Sequence, residues 1–345
     1  MPGSTSRSSL VPEVLKEYGG LTRGMLRRYL PTGEPRRHLY DLVADYPNRG
    51  GKMMRSSICI AATRAFGGRI EDALPSAVSI ELLHNAMLIH DDIEDESAER
   101  RGRPTMHMLH GIPTAVNVGD TLTLLSLKPL FDNHQHLGPY LSMQILEETE
   151  RVAIESAEGQ AIELGWRRDN VFDVDEKDYL SMVLKKTSWL AAIYPLRVGA
   201  LIGTRDEVDS EQFITFGFLL GAAFQIQDDL LNFCSDANYG KEREGDLWEG
   251  KRTLPLIHLM RQCTPLERQR VLATLAMSRE KKCPSEIAWL RSMLERYRCI
   301  DSARQIAQGI AGAALEEFEA AFKYVPDSRD KRFIRGLVTW IFERR

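Results

Sequence analysis

Acidic residues crowd into one short stretch of this sequence. Five of the six residues from Asp91 to Glu96 are acids, and the arginines Arg100 and Arg101 follow within a few positions. Like charges on neighbouring turns destabilise a helix. Such a cluster is therefore either a solvated helix end, which is the commoner case, or part of a site where a bound ligand neutralises the charge.

The spacing of this stretch favours a site. On a helix, His84, Asp91 and Asp95 lie within about 20° either side of a common line, and Met87 and Leu88 fall between them. An imidazole, two apolar side chains and two carboxylates then share one helix face. This order predicts a surface that is apolar for two turns and acidic at its end.

A second acidic pair ends another apolar helix pattern, 224-FQIQDDLLN-232. Phe224, Gln225 and Asn232 share the helix face of Asp228, and Asp229 follows directly. Two such helices could face each other across one cavity. Carboxylates without nearby His or Cys suit Mg²⁺, which takes one or two carboxylates, waters and phosphate oxygens in proteins.

Basic residues provide the complementary half of the pattern. Lys52 and Arg55 are spaced i,i+3 after the turn 48-NRGG-51, so both reach the same side of a helix. Lys186 interrupts an otherwise apolar helix, which makes it harder to explain as a solvated surface residue. Arginine forks and lysine ammonium groups are the usual ligands of diphosphates. The basic residues that fit this interpretation are Lys52, Arg55, Arg100, Arg101, Lys186, Lys241 and Lys251.

The elements that must position these residues are helices. Apolar residues recur at spacings of three and four over residues 75–95, 140–164, 178–203 and 211–233, and strand alternation is nearly absent. No linker or repeat divides the chain. The pattern predicts an all-α protein with a flexible tail, residues 1–12, and one helical domain, residues 13–345.

Composition limits the partners and the location. The net charge of −4 argues against nucleic acid as a partner. The five cysteines are scattered and form no CxxC pair, which favours a reducing compartment. The N-terminus lacks an apolar signal core, and the most apolar run, residues 213–226, is shorter than a transmembrane segment. We therefore expect a cytoplasmic protein without a membrane span.

Five motifs in this order resemble those of the trans-isoprenyl diphosphate synthases. They are GKxxR (51–55), DDxxD followed by RRGxPT (91–105), KT (186–187), FQxxDD (224–229) and GKxxxGDLxEGKRTLP (240–255). Any one of these motifs is weak evidence, whereas the whole set in this order is specific. The resemblance runs from about residue 50 to residue 255 and continues more weakly to the end.

The resemblance implies an isoprenoid synthase fold, in which helices surround a deep central apolar cavity, usually as a homodimer. It also implies Mg²⁺-dependent head-to-tail condensation of isopentenyl diphosphate with an allylic diphosphate. Asp91, Asp95 and Asp228 would bind about three Mg²⁺ ions once substrate is bound, with Asp92 and Asp229 supporting them. Isopentenyl diphosphate would be held by Lys52, Arg55, His84 and Arg101. The allylic diphosphate would be held by Arg100, Lys186, Lys241 and Lys251, with Thr187 and Gln225 near its reacting carbon.

Departures from the family pattern bear on the product. Asn232 replaces the usual last aspartate of the second motif, a variant that also resembles fungal-type geranylgeranyl diphosphate synthases. In the family, bulky residues just before the first motif form the floor of the product cavity. Those positions here are Ala86 and Met87, neither of them aromatic. The resemblance thus favours a twenty-carbon product, geranylgeranyl diphosphate.

Other functions remain open at this point. A farnesyl or longer-chain polyprenyl diphosphate synthase would carry the same motifs. A class I terpene cyclase would have a DDxxD but would not need the second diphosphate site that Lys52, Arg55 and Arg101 suggest. A non-catalytic subunit of a heteromeric synthase would keep the fold and lose the motifs, which are all present here.

Overall fold

The computed structural model of the protein describes residues 10–233 and 244–343. Within these ranges the regular structure is almost entirely helical, which confirms the all-α prediction. The α-helices are α1 (Leu10–Leu26), α2 (Asp41–Val43), α3 (Asp45–Asn48), α4 (Met54–Ala65), α5 (Ile70–Glu94), α6 (Met106–His110), α7 (Ile112–Leu137), α8 (Pro139–Arg168), α9 (Glu176–Val183), α10 (Tyr194–Thr204), α11 (Ile214–Leu231), α12 (Gly245–Glu249), α13 (Leu254–Gln262), α14 (Pro265–Leu275), α15 (Pro284–Arg296), α16 (Cys299–Ala321) and α17 (Arg329–Glu343).

Shorter elements join these helices. Two π-helical segments (Arg36–Tyr40 and Leu184–Ile193) and two 3₁₀ turns (Ser210–Phe213 and Arg279–Lys281) occur in the described ranges. After α5 the chain forms a small antiparallel pair of strands, β1 (Glu99–Arg100) and β2 (Arg103–Pro104), with Arg100 opposite Arg103. This hairpin turns the basic residues back towards the acidic end of α5.

The first helix starts earlier than the predicted domain boundary. Residues 10–12 were assigned to the tail, but α1 begins at Leu10 and Val11 is buried. Val11, Val14 and Tyr18 recur at helical spacing and pack with α17 and α4. Burial of this apolar face extends the helix towards the N-terminus, because each buried large side chain contributes about 1.5–3 kcal/mol.

The long predicted helices are present, and one of them contains an unexpected segment. The pattern over 178–203 corresponds to one continuous helical run from Glu176 to Thr204, but its middle, Leu184–Ile193, is a π-helix. Pro195 lies two residues after this segment. A proline ring lacks an N–H and clashes with the carbonyl of the preceding turn in a regular α-helix, so wider turns there relieve the clash. The 3.6-residue pattern could not reveal this local change.

The core positions the helices that carry the acidic motifs. α5 packs against α7 and α4, and α11 packs between α16 and the π-segment. One apolar cluster, which includes Ile80, Leu83, Val152, Trp189 and Tyr194, lies where α5, α8 and the π-segment meet. Trp189 belongs to this core, as its burial indicates. No helix in the described ranges is long and apolar enough to cross a membrane.

Candidate active site

The two acidic motifs face one cavity of about 1130 Å³. Its walls come from α5, α7, α8, the π-segment and α11. Asp91 and Asp228 stand near the C-terminal ends of α5 and α11, and apolar residues line the cavity one or two turns earlier on the same helices. The apolar lining includes Leu83, Met87, Leu88, Leu124, Leu190 and Phe224, and the polar lining includes His84, Asp91, Glu94, Arg100, Arg101, Gln160, Lys186, Thr187, Gln225 and Asp228.

Asp92, the second aspartate of the first motif, is buried and held by hydrogen bonds. Its carboxylate is fully buried, and it accepts hydrogen bonds from the Tyr46 hydroxyl at 2.5 Å and from Nε of Arg100 at 2.8 Å. Arg100 also reaches Asp91 at 3.2 Å. Burial alone would lower the pKa of Arg100, but Asp92 and Asp91 raise it. One arginine therefore fixes both neighbouring aspartates.

Asp95 turns away from the cavity. It lies just after α5, and its carboxylate accepts from Arg167 Nη1 at 2.6 Å and pairs with Lys251 Nζ at 2.6 Å. Burial raises the pKa of Asp95 to about 6, although Lys251 opposes the shift. Asp95 does lie one turn after Asp91, as the helical spacing predicted. In the structure, however, Asp95 pairs with basic side chains and does not line the cavity.

The two described lysines that the resemblance assigned to the allylic diphosphate are also paired with acids. Lys186 Nζ contacts Asp91 at 3.3 Å and bonds to Glu163, a residue of α8. Lys251 Nζ pairs with Glu249 at 3.0 Å as well as with Asp95. Burial opposes the charged form of Lys186, yet Glu163 and Asp91 raise its pKa. The acidic cluster is thus neutralised by the protein's own cations. Lys241 lies outside the described residues.

The second motif repeats the arrangement of the first. Asp228 lines the cavity, whereas Asp229 is buried and accepts from the Tyr179 hydroxyl at 2.7 Å and from Gln225 Nε2 at 2.8 Å. Burial raises the pKa of Asp229 to about 6, with these two hydrogen bonds acting against it. Thr187 donates to Gln225 Oε1 at 2.7 Å, which connects the π-segment to α11.

Asn232 occupies a different position from the one the motif suggested. Its side chain is buried, and its Oδ1 accepts from the backbone N–H of Asp246 at 3.3 Å. Asn232 does not line the cavity, so the asparagine anchors the start of α12 to the end of α11. The replacement of the usual aspartate by Asn232 therefore removes no carboxylate from the lining of the cavity.

A second cavity of about 400 Å³ adjoins the first. Lys52, Arg55, His84 and Arg101, which the resemblance assigned to isopentenyl diphosphate, all line it, and Arg55, His84 and Arg101 line both cavities. Burial, with Arg55 and Arg101 nearby, lowers the pKa of His84 well below its usual value. His84 is therefore a neutral hydrogen-bonding group at neutral pH.

Local backbone geometry brings the first basic motif into this second cavity. Gly51 has a φ of +141°, and a side chain there would press on the Arg101 guanidinium, only 3.0 Å from the position of a Cβ. Met53 adopts a left-handed conformation, and α4 starts at Met54. The glycine thus lets the chain pass close to Arg101 before the helix presents Arg55.

The two residues predicted to set product length lie in different surroundings. Met87 lines the first cavity. Ala86 is fully buried and packs with Val118 and Leu122 of α7, away from the cavity. Consecutive helical residues point about 100° apart, so only one of the pair faces the cavity.

Oxygen ligands for a metal are available, but the described residues form no closed metal cage. In the part of the chain that the structure describes, no group of three or more His, Cys, Asp or Glu side chains could hold a metal ion by itself. Asp91 and Asp228 nevertheless bring carboxylate oxygens to one cavity that Arg100 and Lys186 also line. This set fits Mg²⁺, which retains waters and shares phosphate oxygens with a substrate.

Several supporting residues were missed from the sequence. Tyr46 and Tyr179 hold the inner aspartates, and Glu163, Arg167 and Glu249 hold the lysines and Asp95. The pattern of α8 carried a signal, since polar residues at positions 156, 160, 163 and 167 recur at helical spacing on one face. The tyrosines come from elements distant in sequence, and nothing local marked them.

Comparison with known proteins identifies the family of this chain. Residues 36–294 match the model of the family described as polyprenyl synthetase. The chain belongs to the polyprenyl synthetase family. It is 31% identical over 338 residues to the geranylgeranyl pyrophosphate synthase of Geoglobus acetivorans, covering 97% of this chain and 99% of that protein. It is 29% identical to the geranylfarnesyl diphosphate synthase of Natronomonas pharaonis, over 97% and 98% of the two chains.

Solved structures lead to the same family. The crystal structure of the geranylgeranyl pyrophosphate synthetase of Pyrococcus horikoshii matches with a TM-score of 0.86 and 30% identity, over 99% of this chain and all of the other. The polyprenyl synthetase fold therefore covers the whole length of the chain, and the isoprenoid synthase prediction is confirmed.

Proposed function

We propose that this polyprenyl synthetase is a Mg²⁺-dependent prenyltransferase that joins isopentenyl diphosphate to an allylic diphosphate. The observation that carries the proposal is the pair of adjoining cavities. One is lined by Asp91, Asp228 and Lys186, and the other by Lys52 and the shared arginines. Two neighbouring polar sites match two diphosphates, whereas a cyclase with a single diphosphate substrate needs only one.

The acidic and basic residues of the site would have different roles in the reaction. Asp91 and Asp228 would hold Mg²⁺ at the cavity, with Asp92 and Asp229 fixed behind them. Asp95 would join them only on release from Arg167 and Lys251. Bound Mg²⁺ would act as a Lewis acid on the leaving diphosphate. Arg100, Lys186, Lys241 and Lys251 would neutralise the negative charge that develops as the allylic bond ionises, which is electrostatic stabilisation of the transition state.

The cavity walls protect the reacting carbons. Leu83, Met87, Leu190 and Phe224 exclude water, which would otherwise convert the allylic cation to an alcohol. The Thr187 hydroxyl and the Gln225 amide, bonded to each other, would lie near the reacting carbon with their dipoles fixed. The isopentenyl double bond then attacks, and the new cation loses a proton to the departed diphosphate.

We propose geranylgeranyl diphosphate as the main product. Support comes from Met87, a flexible and non-aromatic residue on the apolar wall, and from the names of the relatives, several of which are geranylgeranyl diphosphate synthases. Ala86 has no direct part in this proposal, because it packs against α7.

The decisive experiment is an incubation with Mg²⁺, labelled isopentenyl diphosphate and, separately, dimethylallyl, geranyl and farnesyl diphosphates. Products are dephosphorylated and sized by chromatography. A dominant linear twenty-carbon alcohol supports both the reaction and the product. Alcohols of fifteen or twenty-five carbons keep the reaction and refute the assigned length. Absence of incorporation with every primer, together with cyclic products from geranylgeranyl diphosphate alone, would identify a cyclase instead.

We also propose a homodimer, formed through α6, α7 and α8. Large apolar side chains are exposed there and recur along one face of α7, and exposed apolar patches of this kind mark interaction surfaces. The exposed residues are Met108, Leu109, Ile112, Val116, Leu124, Phe131, Tyr140, Met143 and Ile154. A second copy suits this surface because a face shared by two identical chains is self-complementary. Light scattering of the wild-type protein and Phe131→Glu tests it, since a monomeric wild type refutes the dimer.

A cytoplasmic location completes the proposal. The described cysteines Cys59, Cys263, Cys283 and Cys299 are free thiols. Free thiols are typical of a reducing compartment. Fractionation of cells that produce the protein, followed by detection with an antibody, would test this location.

A further inference from the structure

One glycine of α8 lies against the backbone of Lys186. A Cβ added to Gly159 would stand 2.6 Å from the Cα and 2.7 Å from the Cβ of Lys186, and nearer still to its backbone nitrogen. Real Cβ atoms essentially never come within 3.0 Å of a non-bonded heavy atom in another part of the chain. The obstacle is backbone, which cannot rotate aside as the tip of a side chain can. Residue 159 therefore needs to be glycine for Lys186 to stay where it is.

Helix stability does not explain this glycine. In a helix interior, glycine costs about 1 kcal/mol relative to alanine. Gly165 lies in the same helix with nothing within 4 Å of an added Cβ. The two glycines have the same helical backbone, and only Gly159 supports a close approach of another segment.

A second glycine supports the π-segment from the opposite side. On α11, a Cβ added to Gly221 would stand 2.5 Å from the Cα of Ser188. Gly159 and Gly221 thus bracket residues 186–188 between α8 and α11. The turns of a π-helix are wider than those of an α-helix, and they fit between these helices because both neighbours lack a side chain there.

The other end of the Lys186 side chain is held by the same helix. Glu163 follows Gly159 by one turn of α8 and bonds to the Lys186 ammonium, which also contacts Asp91 at 3.3 Å. α8 therefore fixes Lys186 twice, at its backbone through Gly159 and at its ammonium through Glu163. Lys186 is thereby held next to Asp91.

We propose that Gly159 and Gly221 are positioning residues that set the depth of Lys186 and Thr187 in the cavity. An alanine at 159 would need 3.4 Å to reach ordinary contact, but only 2.6 Å is available to the Lys186 Cα and less to its backbone nitrogen, so the π-segment must move by at least about 0.8 Å. A misplacement of about 1 Å in a site of this kind can cost about 10²-fold in rate. This inference rests on the proposed role of Lys186 in binding the allylic diphosphate.

The test compares five variants by steady-state kinetics with each substrate varied in turn. Gly159→Ala and Gly221→Ala displace the segment at Lys186 and Ser188. Gly165→Ala controls for the change of residue in α8. Gly217→Ala controls for damage to the π-segment, because its Cβ would meet Ile193 at the far end, with 3.0 Å to the Ile193 Cα. Lys186→Gln serves as the reference for loss of the lysine itself.

We expect kcat/KM for farnesyl diphosphate to fall about 10²-fold in Gly159→Ala and Gly221→Ala, with the KM for isopentenyl diphosphate unchanged. Gly165→Ala should match the wild type. Gly217→Ala should lower the melting temperature while keeping the allylic kinetics.

The results distinguish an error in the positioning role of the glycines from an error in the proposed function of Lys186. If Lys186→Gln is impaired and both Gly159→Ala and Gly221→Ala fold with normal allylic kinetics, the positioning role is wrong. If Lys186→Gln itself keeps normal kinetics, the proposed function of the lysine is wrong. If Gly159→Ala does not fold, Gly221→Ala decides the matter by the same two kinetic constants.

Discussion

The hydroxyl of Tyr46 offers the sharpest test of how the first acidic motif is built. Tyr46 is fully buried, donates to Asp92 at 2.5 Å and accepts from the backbone N–H of Met106 at 3.2 Å. Tyr46→Phe removes only the oxygen and leaves the ring in place. The change therefore creates no large cavity and isolates the contribution of the hydroxyl.

The size of the effect follows from what remains unpaired. A hydrogen bond to a charged acceptor contributes about 1.5–3 kcal/mol. Asp92 keeps Arg100 as a partner, but the buried N–H of Met106 loses the hydroxyl as an acceptor. We expect the free energy of unfolding to fall by about 2–4 kcal/mol. Asp92 would also be held less rigidly behind Asp91, and loss of such a supporting contact typically weakens metal affinity or activity about tenfold or more.

The assay measures reaction rate against Mg²⁺ concentration and unfolding in urea. Tyr18→Phe is a matched control, because Tyr18 is also buried and donates to a buried carboxylate, Asp330, but on α1 and α17. Both variants should lose stability. Only Tyr46→Phe should need more Mg²⁺ for half its maximal rate. Equal Mg²⁺ requirements in wild type and Tyr46→Phe, or equal shifts in both variants, would refute the reasoning.

Three further outcomes are expected. Met87→Phe should shorten the main product, whereas Ala86→Phe should chiefly destabilise the packing of α5 on α7. Chromatography of the products and thermal unfolding distinguish these two effects. A shorter product from Ala86→Phe alone would reverse the assignment. Asn232→Asp should not lower the Mg²⁺ concentration needed for half-maximal rate, because residue 232 faces α12. It should lower the stability of the protein by placing a second carboxylate near Asp246. A lower Mg²⁺ requirement would contradict this prediction. Burial, with Arg167 nearby, lowers the pKa of Lys282 to about 8, so between about pH 8 and 10.5 the unfolded chain binds more protons than the folded protein. The free energy of unfolding should therefore rise with pH relative to that of Lys282→Met, by at most about 1.4 kcal/mol per pH unit. A constant difference between the two proteins in urea unfolding across this range would disprove the prediction.

Helical periodicity was sufficient to predict the fold class and the helices that carry the acidic motifs. α5, α8 and α11 all occur where the apolar spacing placed them. The π-segment was not predictable in this way, because apolar spacing registers neither Pro195 nor contacts with other helices. The segment fits where it does because Gly159 and Gly221, in two other helices, have no side chain against it.

Helical spacing also predicted some residues of the candidate site, but not all of them. The spacing of His84, Asp91 and Phe224 indicated residues that do line the cavities. Asp95 and Asn232 show where spacing fails, since each follows the last helical turn and is drawn to a neighbour by charge or a backbone N–H. Side chains beyond a helix end no longer follow the helical face, so their direction depends on tertiary contacts.

The pairing of Lys186 and Lys251 with aspartates has a consequence for the order in which ligands can bind. Each ammonium acts as a resident counter-ion, so an arriving metal ion must take over Asp91 or Asp95 from a lysine. A metal ion alone would leave Lys186 with Glu163 and Lys251 with Glu249, so each buried ammonium group would be less well neutralised than before. A diphosphate that arrives with the metal gives the lysines new partners at once. We therefore expect the resting site to bind the metal–diphosphate complex in preference to free Mg²⁺.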